Sequence, residues 1–140
     1  MLYLDTSLVV TLLTSEPATE KARAWMREHQ EQRFLISDWV AVEFSAALSM
    51  KARGGFLTLE QRDATQAWFN RLSSESFERL PIGTEHFLQA SRFAQRSTVG
   101  LRGGDALHLA IAAAALATLC TRDRALAQAA EEFGLATELL

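Results

Sequence analysis

Leu101-Arg102-Gly103-Gly104-Asp105-Ala106-Leu107-His108-Leu109-Ala110 stands just ahead of the longest apolar run in the chain. From Ala106 to Ala115 the residues are Ala, Leu, Ile and one His. Helix propensity there is high, and a helix that is apolar all round must lie inside the molecule. An acid at its mouth therefore enters a covered site. The side-chain-free Gly103 and Gly104 let the backbone turn sharply and leave room beside the carboxylate. As an isolated residue Asp105 is accounted for as an N-cap, its carboxylate accepting from the free N–H groups of the first turn. Three further acids, Asp5, Glu43 and Asp123, take comparable positions relative to neighbouring strands and helices, and the chain in order shows how.

Met1 to Leu4 is short and apolar, and Asp5-Thr6-Ser7 leads into Leu8 to Leu13, which reads as a buried strand followed by a short capped helix. Glu16-Pro17 breaks the pattern. Ala18 to Gln30 then carries Ala22, Trp25, Met26 and His29 at helical spacing. Phe34 to Ile36 reads as a second strand, and Ser37 or Asp38 caps a helix from Trp39 to Arg53. In that helix Glu43 falls in a stripe formed by Val40, Phe44, Ala47 and Leu48, where an acid needs a reason. Gly54-Gly55 ends it, and Thr58 with Gln61 has capping-box spacing for a helix from Leu57 to Leu72.

Phe77 to Ile82 reads as a weak strand that Pro81 confines to an edge. A helix follows from Thr84 to Gln95, with Phe87, Leu88, Ser91 and Ala94 expected on its inner face. Beyond the buried helix, Leu116 to Cys120 is a strand, Thr121-Arg122-Asp123 a turn, and Arg124 to Phe133 a helix stopped by Gly134. Ala136 to Leu139 suits a last strand. Alternating strands and helices predict an α/β fold: one domain over residues 1–140, with a central, mainly parallel sheet of four to five short strands flanked by helices. Ligands of such sheets gather at the carboxyl ends of the strands, an edge that all four acids can reach.

The composition, 49% hydrophobic and 22% charged in 140 residues, suits a domain with a sizeable core. Cys120 is the only cysteine, so neither a disulfide framework nor a Cys-based zinc site is expected. The N-terminus does not read as a signal peptide, and the apolar run from Ala106 to Cys120 is too short to cross a bilayer. A cytoplasmic, membrane-free location follows as an expectation. A net charge of −3 gives no general attraction to nucleic acid, so a polyanion must be met by a local patch or a metal. Every basic residue except Lys21 and Lys51 is Arg, which suits bidentate phosphate contacts.

Four carboxylates at one covered site repel one another, and a divalent cation removes the conflict. Oxygen ligands without paired Cys or His favour Mg²⁺ or Mn²⁺ over zinc. A cation of this kind lowers the pKa of water and makes it a nucleophile near neutral pH, a chemistry most often applied to phosphate esters. Each of Asp5, Asp105 and Asp123 is also a plausible cap, and Glu43 is the hardest to explain structurally. His108, one turn after Asp105, reads as a hydrogen-bonded helix residue and not a ligand. Thr6, Ser7 and Thr121 are turn residues whose hydroxyls can orient an acid or a water. Trp25, Trp39 and Trp68 read as core or interface. Arg102, Arg122 and Arg124 are candidate contacts to a phosphate backbone, with solvated or paired charges as the alternative.

Leu4-Asp5-Thr6-Ser7, the helix carrying Glu43, the Leu101–Ala110 stretch and Thr121-Arg122-Asp123-Arg124-Ala125-Leu126 together resemble the ordered motifs of the PIN-domain family, and within it the VapC-type toxins of bacterial toxin–antitoxin pairs. The likeness runs from Leu2 to about Gly134. It implies a Mg²⁺- or Mn²⁺-dependent endoribonuclease with Asp5, Glu43, Asp105 and Asp123 as its acidic quartet and metal ligands, and with Thr121 as a polar accessory. It also implies a homodimer held by a cognate antitoxin whose tail covers the site. The family commonly has larger residues where Gly103-Gly104 stand, so a wider pocket is expected. A non-catalytic PIN-like module binding RNA or protein is the alternative, and intact acids at all four positions weigh against it. A phosphoacceptor receiver would want adjacent acids after the first strand, where Thr6 and Ser7 stand. A haloacid-dehalogenase-type phosphatase would want an acid at Ser7.

Overall fold

β1 (Leu2–Leu4) is buried along its whole length because both faces of the sheet around it are covered, and such a strand reads as a continuous apolar run. The computed structural model describes all residues, 1–140. β1 pairs in parallel with β2 (Phe34–Ser37) on one side and with β4 (Thr118–Thr121) on the other, in registers that set Tyr3 beside Leu35 and Leu119. β3 (Glu78–Leu80) and β5 (Thr137–Leu139) add parallel edges, giving the order β3-β2-β1-β4-β5. The chain builds outward from β1 in one direction and then in the other, so strand order reverses at β1. A crevice opens beside its carboxyl end for that reason.

Helices cover both faces. α1 (Thr6–Leu13) leaves β1 directly, and α2 (Thr19–Glu28) packs against it. α3 (Asp38–Arg53) and α4 (Leu59–Glu75) form the expected hairpin, with Ser37 as the N-cap of the first and a complete Thr58–Gln61 capping box on the second. Phe44 and Phe69 stack across it with ring centroids 4.4 Å apart, closing one side of the core. α5 (Thr84–Arg96) packs along the buried α6 (Gly103–Ala114), and α7 (Arg124–Glu132) leads into β5. The sequence expectation of a single α/β domain around a mainly parallel sheet is met. No helix is long and apolar enough to cross a membrane.

Three local expectations are corrected. α5 turns Ala90 and Phe93 inward, while Phe87, Leu88, Ser91 and Ala94 are exposed. Tertiary packing against α6 outweighs the apolar spacing of the helix itself. α6 begins at Gly103, two residues ahead of Asp105, so Arg102 is the N-cap position and Asp105 lies inside the first turn. β4 begins only at Thr118 and includes Thr121, which is therefore a strand residue and not part of a turn.

Leu116 is left outside β4 by the way α6 ends. The Ala117 N–H bonds to Ala112 C=O and the Leu116 N–H to Ala113 C=O, a Schellman ending that needs a left-handed residue at Leu116. α3 and α7 end in the same way on Gly55 (φ 77°) and Gly134 (φ 73°), whereas Leu116 adopts φ 51° with a Cβ in place. Its side chain is 89% exposed and recovers nothing by burial. A left-handed L-residue costs about 1–2 kcal/mol, and glycine gives part of that back as unfolded-state entropy. Leu116→Gly is therefore expected to raise stability by about 0.5–1 kcal/mol, and Leu116→Val, β-branched, to lower it. Thermal melting of the three proteins checks the order, and a Leu116→Gly chain melting below wild type would refute the strain.

Candidate active site

Asp5 sits where the β1 ladder ends, its N–H donating to Cys120 C=O, and its side chain turns back to cap α1. The carboxylate is almost wholly enclosed, with the residue only 3% exposed. Leu8 N–H donates to Oδ1 (3.0 Å), Thr121 Oγ1 to Oδ2 (2.6 Å), and the Ser7 hydroxyl is shared between both oxygens at 2.8 Å. Those donors are themselves held: Ser7 Oγ accepts from Arg122 N–H (3.0 Å) and Thr121 Oγ1 from Asp123 N–H (2.9 Å). Three protons make four contacts with a group that has about four lone-pair positions, because the Ser7 proton is shared between the two oxygens. Burial still wins, raising the Asp5 carboxyl above its ordinary value against His108 nearby and these hydrogen bonds.

Glu43 reaches the same edge from α3. Thr6 Oγ1 (2.5 Å) and His108 Nε2 (2.7 Å) both donate to its Oε2. Half-burial disfavours its charge, but the bonds from His108 and Thr6, with the Trp39 indole helping, outweigh burial and hold the carboxyl below its ordinary value. The indole Nε1 is itself buried without a well-formed hydrogen bond. Across from Glu43 lies Gly104, where a Cβ would stand 3.0 Å from Glu43 Oε1 and 3.3 Å from the Trp39 ring. Close approach of α6 to α3, and not a sharp turn, is what glycine permits there.

Asp105 accepts a long bond (3.4 Å) from Arg102 N–H. Burial pushes its carboxyl up, and the nearby charges of Asp123 and Glu43 push in the same direction, with the Arg102 N–H and His108 opposing. Asp123 caps α7 through Ala125 and Leu126 N–H (2.8 and 3.0 Å). All four acids line one cleft of about 660 Å³, together with Thr6, Ser7, His108, Arg102 and Arg122. Arg124 is exposed and does not line it.

The cleft holds residues that sequence spacing did not single out. Glu16 lines its far end, where Lys51 Nζ (2.7 Å) and Thr11 Oγ1 (2.9 Å) hold the carboxylate. Burial opposes its charge, and Lys51, Thr11 and Arg122 outweigh that, so its carboxyl lies below its ordinary value. Tyr3 and Ser37 lie beneath His108, in hydrogen bonds that join residues more than 30 positions apart. No local pattern announces such a partner.

The acids are spread across the cleft, and no three His, Cys, Asp or Glu side chains are close enough to form a ready cage. A hard cation needs no such cage, because Mg²⁺ keeps several waters and takes only one or two carboxylates. The oxygen-only donor set and the placement of all four acids along one cleft fit such an ion. Asp5, Glu43, Asp105 and Asp123 are the residues able to hold it.

Because the folded-state value of Asp105 lies above the unfolded one, its ionisation destabilises the fold at pH values above the folded value. That destabilisation fades as pH falls through it toward the unfolded value. In chelator, Asp105→Asn is expected to melt above wild type at neutral pH and to lose the advantage in the ordinary carboxylate range. A variant melting below wild type at neutral pH would mean that the Arg102 contact outweighs the repulsion.

The model of one protein family, the PIN domain, matches residues 2–132. No curated protein sequence matches the chain. Among solved structures, FitAB bound to an IR36 DNA fragment superposes with a TM-score of 0.76 at 19% identity, covering 99% of this chain and 94% of that one. VapC20 from Mycobacterium tuberculosis, a sarcin–ricin loop cleaving toxin, gives 0.73 at 16% identity and 97% coverage of both chains. VapBC2 from Rickettsia felis, bound to a promoter DNA fragment, gives 0.72 at 17% identity, covering 100% of this chain and 99% of that one. At these identities the structures speak for the fold, and the family match covers nearly the whole sequence: the chain belongs to the PIN-domain family.

Proposed function

We propose that this PIN-domain protein is a Mg²⁺- or Mn²⁺-dependent endoribonuclease, the toxin of a VapBC-type toxin–antitoxin pair. One observation carries the reading: Asp5, Glu43, Asp105 and Asp123, from four separate segments, line a single cleft at the carboxyl edge of the sheet. A divalent cation held there supplies the charge that stabilises a reacting phosphate and makes water nucleophilic. The protein's own part is positional. Ser7, Thr121 and the Leu8 N–H fix Asp5, while Thr6 and His108 fix Glu43. Arg102 and Arg122 line the cleft, which supports a role for them as contacts to RNA phosphates, whereas Arg124 stands outside it.

Asp5→Asn and Asp105→Asn are expected to lower Mg²⁺-dependent RNA cleavage on the order of a hundredfold or more with the fold retained. Mn²⁺ should raise the melting temperature of the wild type by mass action and that of both variants much less. Arg102→Ala should weaken RNA binding and flatten its salt dependence by about one phosphate contact. Equal cleavage and equal Mn²⁺ shifts in wild type and both Asn variants would remove the acids from the reaction. Strong RNA binding by the wild type with no cleavage in Mg²⁺ or Mn²⁺ would instead favour the non-catalytic module.

The same reading assigns the protein a homodimer and a cognate antitoxin as partners. Val42, Met50, Phe56 and Leu59 on the α3–α4 hairpin, with Phe87 and Leu88 on α5, are large exposed apolar residues of the kind that interfaces cover. An antitoxin side chain of positive charge entering the cleft would neutralise the acids in place of the cation. Light scattering is expected to report a dimer. A chain that stays monomeric at high concentration would count against that assignment.

A further inference from the structure

Outside the four acids, His108 joins more of the site's elements than any other side chain. It is 2% exposed on α6, one turn after Asp105, and both ring nitrogens are engaged. Nδ1 lies 2.9 Å from Tyr3 Oη, which lies 2.8 Å from Ser37 Oγ, the N-cap of α3. Nε2 lies 2.7 Å from Glu43 Oε2 and 3.3 Å from Thr6 Oγ1. A carboxylate only accepts, so the proton between Glu43 and His108 belongs to Nε2. In the neutral ring Nδ1 then accepts from Tyr3, and Tyr3 accepts from Ser37, so that every member is satisfied.

The arrangement has a directional consequence. A glutamate on a helix has several rotamers open to it, and each donor on its carboxylate removes alternatives. His108 and Thr6 both engage Oε2, so two donors from two other helices fix the carboxylate of a residue that lines the cleft, with Oε1 beside Gly104 and Trp39. We propose that His108 is a positioning residue: its Nε2–H, oriented through Nδ1 by Tyr3, holds Glu43 in the rotamer that keeps its carboxylate at the cleft. The cation affinity of the acids then depends on His108 although the imidazole is no ligand. This rests on the reading of the acids as a cation site. A histidine that merely fills the core would act through stability alone.

The two ring nitrogens allow a discriminating test. Gln at this position offers an N–H near the place of Nε2, toward Glu43, and Asn offers one near the place of Nδ1, toward Tyr3. Both put an amide into the same buried space, and a role confined to packing would change their stability while leaving their Mn²⁺ affinities alike. Mn²⁺ binding to the full chain is measured by calorimetry, with circular dichroism and melting to verify folding. Relative to wild type, Kd is expected to weaken about 10- to 100-fold in His108→Asn, to stay within about threefold in His108→Gln, and to weaken several-fold in Tyr3→Phe. Selective rescue by Gln supports the inference. Equal affinity in His108→Gln and His108→Asn, or an unchanged Tyr3→Phe, overturns it while leaving the cation site in place. A wild type without Mn²⁺ affinity overturns the site itself and the inference with it. Should His108→Asn fail to fold, Tyr3→Phe, which keeps the ring, decides the matter by the same criterion.

Discussion

The burial of the Asp5 carboxylate is the constraint on which the site depends. Taking a charge from water costs several kcal/mol even after relaxation, and each hydrogen bond to it returns about 1.5–3 kcal/mol. Three donors therefore come close to offsetting the penalty without clearly exceeding it. The upward direction of the Asp5 value says that burial outweighs them. That balance requires the donors to be where they are, and each comes from a different constraint. Leu8 N–H is free because α1 begins at Thr6, Ser7 is oriented by the backbone after β4, and Thr121 is fixed because β4 pairs with β1 through Cys120. The sheet register and the site geometry are in this sense one fact.

A second constraint acts across the cleft. α6 can approach α3 only because residue 104 has no side chain, since a Cβ would press on Glu43 Oε1 and the Trp39 ring. Glycine inside a helix weakens it by roughly 0.5–1 kcal/mol relative to alanine. The first turn of α6 carries two, and the buried run Ala106–Ala112 is what holds the helix despite them. Local propensity is given up where two elements must meet around a carboxylate.

The alternation of strands and helices, the capping of α3 and α4 and the edge position of β3 were legible because each rests on spacing within a few residues, and the grouping of four acids at one edge followed from that alternation. The inner face of α5 was not legible: Phe87 and Leu88 have the apolar character of core residues, and only the packing of Ala90 and Phe93 along α6 decides otherwise. The start of α6 at Gly103 was hidden by two residues that ordinarily end helices. Tyr3, Ser37 and Glu16 gained their places in the site from contacts with Ser37, His108 and Lys51, all distant in the chain. A sequence pattern can mark which residue needs a partner, as it did for Glu43, but the partner is supplied by topology.

The electrostatics of the cleft follow from the same topology. α1, α6 and α7 all begin at the carboxyl edge, so the partial positive charge of three helix N-termini converges where the acids stand. Asp5 and Asp123 are absorbed into that field as caps, each facing free N–H groups. Asp105 is not: its one backbone bond is long, and Asp123 and Glu43 repel it. The unrelieved charge of the site is thus concentrated on Asp105, the acid with the fewest protein donors. Where a fold satisfies two carboxylates by capping and a third by paired side chains, the one left unsatisfied is where an external cation gains the most.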